Sequence, residues 1–87
     1  MEVVQTSRFK RAYKKLENDV QRAVDAALEQ FIDNPRHPAL HFEKLSGSKY
    51  RTIRVDQGRW RIVLRGSGSS FELVDVDRHK RVDSKYG

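Results

Sequence analysis

Apolar residues recur at helical spacing through the first third of the chain. Residues 2–5 form a short strand candidate, and Thr6 follows them as the expected cap of a helix. One apolar stripe at i, i+3, i+4 and i+7 predicts a first helix from about Ser7 to Glu17; it consists of Phe9, Ala12, Tyr13 and Leu16. A second stripe predicts a helix that begins with a capping box at Asn18 and Gln21 and ends at Asn34-Pro35, because proline disfavours helical conformation in the residue before it.

The second half of the chain has the alternation and composition of β-strands. Three strands are predicted near residues 49–56, 59–65 and 71–77, because valine, isoleucine, tyrosine and tryptophan favour extended backbone. Asp56-Gln57-Gly58 predicts a tight turn, and residues 66–70 have the composition of a flexible loop. Period 2 divides the middle strand into an apolar face of Trp60, Ile62 and Leu64 and a basic face of Arg59, Arg61, Val63 and Arg65. The apolar residues of the third strand fall on both of its faces, which indicates that this strand is buried on both sides.

This order of elements predicts an α+β fold in one domain spanning residues 1–87. Two N-terminal helices pack on one face of a mostly antiparallel sheet in the order β-α-α-β-β-β, and a basic tail follows from Arg78 to Gly87. The apolar periodicity predicts a core that contains Phe9, Leu16, Val24, Leu28, Phe31, Ile53, Ile62, Leu64 and Leu73.

The charge and composition of the chain narrow the range of functions it can have. The chain carries a formal net charge of +6, and arginines occupy every second or third position of two predicted strands, so a cationic sheet face that binds a polyanion is expected, with RNA considered first. The absence of cysteine excludes disulfides and thiolate metal sites. His37, His41 and Glu43 have metal-ligand chemistry, but Pro35 and Pro38 prevent one helical face, and no metal or other cofactor is expected. No apolar run of about 20 residues and no signal peptide are visible, so a cytoplasmic protein without a membrane partner is expected.

Several short motifs, in this order and at this length, resemble the RelE/ParE superfamily of bacterial toxin–antitoxin systems over nearly the whole chain. They are Asn34-Pro35, Lys44-Leu45-Ser46-Gly47, Tyr50-Arg51-Thr52-Ile53-Arg54, Trp60-Arg61-Ile62-Val63, and Leu73-Val74-Asp75-Val76 followed by His79. The superfamily contains RelE-like nucleases that cut mRNA on the ribosome, ParE-like gyrase inhibitors and relatives of other roles.

The resemblance to the RelE-like nucleases implies a metal-free reaction in which the 2′-hydroxyl attacks the adjacent phosphate. Arg61 then matches the arginine that faces the scissile phosphate, and Arg54 matches an earlier basic residue. His79 matches a histidine after the last long strand, and Tyr86 stands for a tyrosine that closes the site, although Asp83 occupies the position where many relatives carry that tyrosine. The expected contacts to the RNA backbone are Lys44, Lys49, Arg51, Arg59, Arg65, Arg78 and Arg81.

The favoured hypothesis is a toxin that acts as a ribosome-dependent mRNA endoribonuclease, with an acidic antitoxin, the ribosome and mRNA as partners. The alternative is a ParE-like gyrase inhibitor or a non-catalytic relative, for which the arginines form a solvated or antitoxin-facing surface. A basic RNA- or DNA-binding module without toxicity is a third possibility. A nuclease requires Arg61 and His79 to converge on one pocket, whereas a gyrase inhibitor does not.

Overall fold

Five strands form one sheet in the computed structural model, which describes residues 2–45, 47–67 and 69–87. Ser46 of the Lys44–Gly47 motif and Gly68 of the predicted loop therefore lie outside the described residues. The strands are β1 (Glu2–Gln5), β2 (Glu43–Lys44), β3 (Tyr50–Val55), β4 (Trp60–Ser67) and β5 (Ser70–Arg78). Their order in the sheet is β1-β5-β4-β3-β2, with β1 parallel to β5 and the other neighbours antiparallel. The predicted α+β architecture is confirmed, and β2 is a short addition to it.

Two helices precede the long strands, as predicted. They are α1 (Ser7–Lys14) and α2 (Asn18–Asp33), and a single 3₁₀ turn at Pro38–Leu40 follows them. Thr6 caps α1, because its Oγ1 accepts a hydrogen bond of 3.2 Å from the backbone N–H of Phe9. The predicted capping box of α2 is wrong: Glu17 is the N-cap, and the side-chain amide of Gln21 donates instead to the Tyr13 carbonyl at 2.9 Å. Gln21 thereby becomes a second donor to a carbonyl near the end of α1, which also accepts from the backbone N–H of Leu16 at 3.1 Å.

The main core lies between the two helices and one face of the sheet. Phe9, Val24 and Phe31 bring the apolar stripes of the helices onto this face, and each is at most 1% exposed. The sheet contributes Ile53, Ile62, Leu64 and Leu73. Leu16 and Leu28, both predicted in the core, are only partly buried at its margin. Leu16 lies beyond the end of α1, which stops at Lys14 and not near Glu17 as predicted, and Leu28 lies at the edge of the stripe of α2.

The C-terminal residues do not form the predicted tail but a third helix, α3 (His79–Tyr86), on the opposite face of the sheet. Val82 packs there with Val63 and Val74, and the ring of Tyr86 meets that of Tyr50 edge to face at 4.9 Å. Val82 and Tyr86 are four residues apart, so one turn of helix aligns them toward the sheet. The centres of β4 and β5 are consequently covered on both sides, which confirms the expectation for the last strand.

Two connections set the register of the long strands. Asp56 and Gln57 adopt positive φ angles of 52° and 57° in the predicted tight turn, which places β4 beside β3. The next connection is shorter than predicted, because β4 continues to Ser67 and β5 begins at Ser70. Gly66 is required there: its φ is 123°, and a Cβ would come within 2.6 Å of the Ser70 carbonyl oxygen. No helix in the described part of the chain is long and apolar enough to cross a membrane.

Candidate anion-binding site

Arg54 and Arg61 are directly opposite each other on β3 and β4, on the face of the sheet that α3 covers. Arg61 is only 5% exposed, and the Nε atoms of both arginines are buried without a hydrogen-bond partner. Period 2 correctly separated Arg61 from Trp60 and Ile62, but Arg61 is buried on that face. Like charges opposite each other on neighbouring strands destabilise a sheet, and burial increases that cost.

The neighbouring carboxylate does not neutralise this pair. Asp77 lies opposite Arg61 on β5, but its Oδ2 is 3.4 Å from Nζ of Lys85 and its Oδ1 is 3.9 Å from Nη1 of Arg81. Among the described residues, no salt bridge joins Arg54 or Arg61 to an acidic side chain. The two guanidinium groups therefore lack a counter-ion within the described protein.

Thr52 adds a third buried polar atom to the same region. It lies two residues before Arg54 on the same face of β3, it is fully buried, and its Oγ1 has no hydrogen-bond partner. Buried polar atoms without partners are uncommon in proteins, and a group of them suggests a bound water, ion or ligand. Sequence reasoning missed Thr52, although its period-2 relation to Arg54 places it beside the arginines.

His79 begins α3 at the same end of the sheet. Its backbone N–H donates at 3.0 Å to the carbonyl of Arg59, which is the last residue of the turn before β4. Its Nε2 lies 2.9 Å from Oδ2 of Asp83, one helical turn further on, and about half of the imidazole is exposed. Asp83 is the residue that replaces the expected tyrosine, and here it orients the histidine.

Tyr86 lies at the other end of α3, about 10 Å along the helix from His79 at 1.5 Å per residue. Its hydroxyl donates to Oδ2 of Asp75 at 2.7 Å. Burial, and then the hydrogen bond to Asp75, raise the pKa of the Tyr86 phenol well above its ordinary value. Asp75 is 4% exposed; it also accepts from the backbone N–H of Val76 at 2.9 Å and lies 3.4 Å from Nε of Arg8. This contact fastens α3 to the sheet, with the phenol proton held between the two side chains.

The residues predicted to hold the RNA backbone do not form one patch. Arg51 and Arg78 lie on the sheet face that packs against α1 and α2, where their guanidinium groups cover the rings of Phe42 and Trp60 at 5.7 Å and 5.1 Å. On the α3 side, Arg65 Nε donates to Glu72 at 3.0 Å. The remaining candidates are exposed: Lys44 on β2, Lys49 over the ring of Tyr50, Arg59 in the hairpin and Arg81 beside Asp77.

The arrangement favours binding of an oxyanion such as phosphate. Two opposed guanidinium groups whose Nε atoms are buried offer fixed N–H donors to negative charge, and the planar guanidinium can bind an oxyanion through paired hydrogen bonds. No group of three or more histidine, cysteine, aspartate or glutamate side chains in the described ranges is placed to hold a metal ion.

Solved structures of toxins share this fold. The RelB–RelE antitoxin–toxin complex from Methanococcus jannaschii matches with a TM-score of 0.72 at 18% identity, over 93% of this chain and 95% of that one. YafQ from E. coli matches with a TM-score of 0.75 at 13% identity, over 93% and 96% of the two chains. The YoeB/ParE toxin from Agrobacterium tumefaciens matches with a TM-score of 0.70 at 22% identity, over 91% and 99%.

The chain has the RelE/ParE fold. The resemblance seen in its motifs is thereby confirmed for the fold, including the sheet order and the helices on both of its faces. No protein-family model matches the sequence, and neither does any curated protein. Identities of 22% or less establish the RelE/ParE fold alone, so the chemistry of this chain must be argued from its own residues.

Proposed function

We propose that this protein is the toxin of a toxin–antitoxin pair and that it cleaves mRNA, with Arg54 and Arg61 binding the scissile phosphate. The observation that carries the proposal is the opposed pair of Arg54 and Arg61, whose Nε atoms are buried and which have no carboxylate partner among the described residues. Such a pair costs folding free energy, and a bound phosphate would offset that cost. Similar structures that are toxins, some solved with their antitoxins, support the same class.

The proposed chemistry uses the protein's side chains without a metal. The 2′-oxygen of the RNA attacks the adjacent phosphorus, its proton passes to a base, and the 5′-oxygen leaves as it gains a proton, which gives a 2′,3′-cyclic phosphate and a 5′-hydroxyl. Negative charge grows on the non-bridging oxygens in the transition state. Preorganised guanidinium donors stabilise that charge, and losing one such donor typically slows a reaction about 100- to 1000-fold.

His79 is the proposed proton-transfer group. An imidazole exchanges protons near neutral pH, and this one begins α3 at the end of the sheet that carries the arginine pair. Asp83 holds its Nε2, which leaves Nδ1 as the nitrogen available to RNA. Tyr86 is a weaker candidate for this step, since its hydroxyl is engaged by Asp75 at the far end of the helix.

An acidic antitoxin, the ribosome and mRNA are the proposed partners, and the cytoplasm is the proposed location. The net charge of +6 suits both a polyanionic target and an acidic inhibitor. Ribosome dependence fits the dispersed basic side chains, because few of them border the arginine pair. A short single-stranded RNA alone would contact little of this surface.

A binding protein of the ParE type is the second candidate function. The specific observation in its favour is that His79 and Tyr86 lie at opposite ends of α3 and each contacts a carboxylate. The four residues predicted as catalytic therefore do not all converge on one point. A gyrase inhibitor would use the same fold without chemistry at Arg61.

Induced expression in bacteria, with mRNA cleavage mapped by primer extension, tests the proposal. Wild type is compared with Arg61→Ala, Arg61→Lys and His79→Ala, and Arg22→Ala on the exposed surface of α2 is the matched control. Cleavage should fall about 100-fold or more in both alanine variants at the site and only partly in Arg61→Lys, which keeps the charge but loses the bidentate geometry. Growth arrest by wild type without any cleavage would favour the binding protein instead.

A further inference from the structure

A groove of about 550 Å³ lies between α1 and α3, and its lining includes Asp77, the β5 residue opposite Arg61. It exists because β1 pairs with β5 only as far as Leu73, so the remainder of β5 has α1 rather than a strand beside it. Arg11 and Lys15 form one wall on α1, and Arg81 and Lys85 form the other on α3. We call this the α1–α3 groove.

The walls of the groove are cationic, and its floor is partly apolar. Five basic side chains and two carboxylates line it, which leaves an excess of three positive charges. Ala12, Leu16 and Trp60 lie between the walls and are only half-buried, so they have apolar surface left to cover. Among the described residues, Arg11 and Lys15 form no salt bridge.

The two carboxylates in the groove show which chemistry its cations accept. Asp75 lies 3.4 Å from Arg8, while Asp77 lies 3.4 Å from Lys85 and 3.9 Å from Arg81. Arg8 of α1 and the two cations of α3 thus have carboxylates of the chain beside them, whereas Arg11 and Lys15 have none among the described residues. A carboxylate from a partner would give Arg11 and Lys15 the ion pairs that Asp75 and Asp77 give to the other cations of the groove.

We propose that the α1–α3 groove binds an acidic peptide segment of a partner protein that places apolar side chains over Leu16 and Trp60. The apolar floor favours a peptide, because a nucleic-acid backbone offers phosphates but no aliphatic side chains to bury there. The volume is in the range of pockets that bind ligands of a few side chains. This inference rests on the proposed function in one respect: the segment would belong to the neutralising antitoxin.

The single tryptophan of the chain makes the groove directly observable. Trp60 is on the floor, so its emission reports contact in the groove. The probe is a 12-residue peptide of alternating glutamate and leucine, and its control replaces every glutamate with glutamine. Binding of the first peptide to the full chain should change Trp60 emission, and the second should have little effect.

Charge reversal on two faces of α1 supplies matched variants. Arg11→Glu with Lys15→Glu alters the groove, whereas Lys10→Glu with Lys14→Glu makes the same change in net charge on exposed positions outside it. Peptide affinity should fall about tenfold or more in the first variant and less than about threefold in the second. Equal losses in both, or no emission change with wild type, would overturn the proposal.

A 12-residue single-stranded RNA tests the other class of occupant. If this RNA changes Trp60 emission more strongly than the acidic peptide, and only the groove variant weakens it, the groove is a nucleic-acid surface and the peptide assignment is wrong. Cleavage of mRNA by wild type is measured on the same samples. Peptide binding without cleavage would overturn the nuclease proposal alone, and cleavage without peptide binding would overturn the groove alone.

Discussion

The two faces of the sheet are built in opposite ways. Toward α1 and α2, the strands present Ile53, Ile62 and Leu64 to a continuous apolar core. Toward α3, the same strands present Thr52, Arg54 and Arg61, and the buried members of the apolar cluster there, among the described residues, are Val63, Val74 and Val82. The first face gains free energy from every buried residue, whereas the second buries polar atoms without partners. This difference separates the face that maintains the fold from the face that carries the proposed site.

The largest effect is expected on the face that α1 and α2 cover. Phe31→Ala should cost about 3–5 kcal/mol of unfolding free energy, because Phe31 is fully buried and packs edge to face with Phe42 and Phe71. Leu28→Ala, at the margin of the same core, should cost about 2 kcal/mol, the lower end for leucine. Urea denaturation measures both, with the exposed Ile32→Ala as control. Equal losses at Phe31 and Ile32 would mean that α2 packs in another register.

The face covered by α1 and α2 was also the part of the molecule that the sequence predicted best. Stripes such as that of Val24 and Phe31 determine which side of a helix is buried, and period 2 assigns Ile62 and Leu64 to the same core. The α3 side was less predictable. Only Val82 and Tyr86 give its helix an apolar face, which is too short a pattern to separate from a basic tail.

Burial of Arg61 was not predictable either. Period 2 gives the side of the sheet on which a residue lies, but whether that side meets solvent depends on what covers it, here a helix that was itself not expected. Thr52 was missed for the same reason. The tether from Tyr86 to Asp75 joins residues eleven positions apart through a tertiary contact, and no local pattern encodes it.

The Tyr86–Asp75 contact gives a second, smaller prediction. Tyr86→Phe should destabilise the protein by about 1–3 kcal/mol near neutral pH, because it leaves the buried carboxylate of Asp75 without one of its donors. Because folding raises the pKa of this phenol, its stabilising contribution is complete below the unfolded-state pKa of about 10 and is lost as pH rises through the folded-state value.

Stability curves of wild type and Tyr86→Phe at increasing pH test this titration. The difference between the two proteins should be constant up to about pH 9 and should shrink above about pH 10. Tyr13, whose hydrogen bond to Asp25 also raises its pKa, is present in both proteins and therefore cancels. A difference that does not change with pH would show that the hydroxyl of Tyr86 is not bound to Asp75 in solution.

The smallest effect is expected at Thr52. Thr52→Val keeps the shape of the side chain and removes a buried hydroxyl without a partner, so stability should rise by about 1 kcal/mol. Thermal denaturation measures this change, and Thr6→Val, which removes a helix cap that bonds to Phe9 and Leu73, is the contrasting control and should destabilise. A loss of stability at Thr52 comparable with that at Thr6 would show that its hydroxyl is satisfied in solution.

The most direct test of the central claim is one variant measured in two ways, Arg61→Met. Removing a buried charge without a counter-ion should raise the free energy of unfolding by about 1–2 kcal/mol, while mRNA cleavage should fall about 100- to 1000-fold because the phosphate loses a fixed donor. The two effects of Arg61→Met are therefore expected to have opposite signs. A variant that is less stable than wild type and still cleaves mRNA at the wild-type rate would show that Arg61 is a structural residue, and would contradict it.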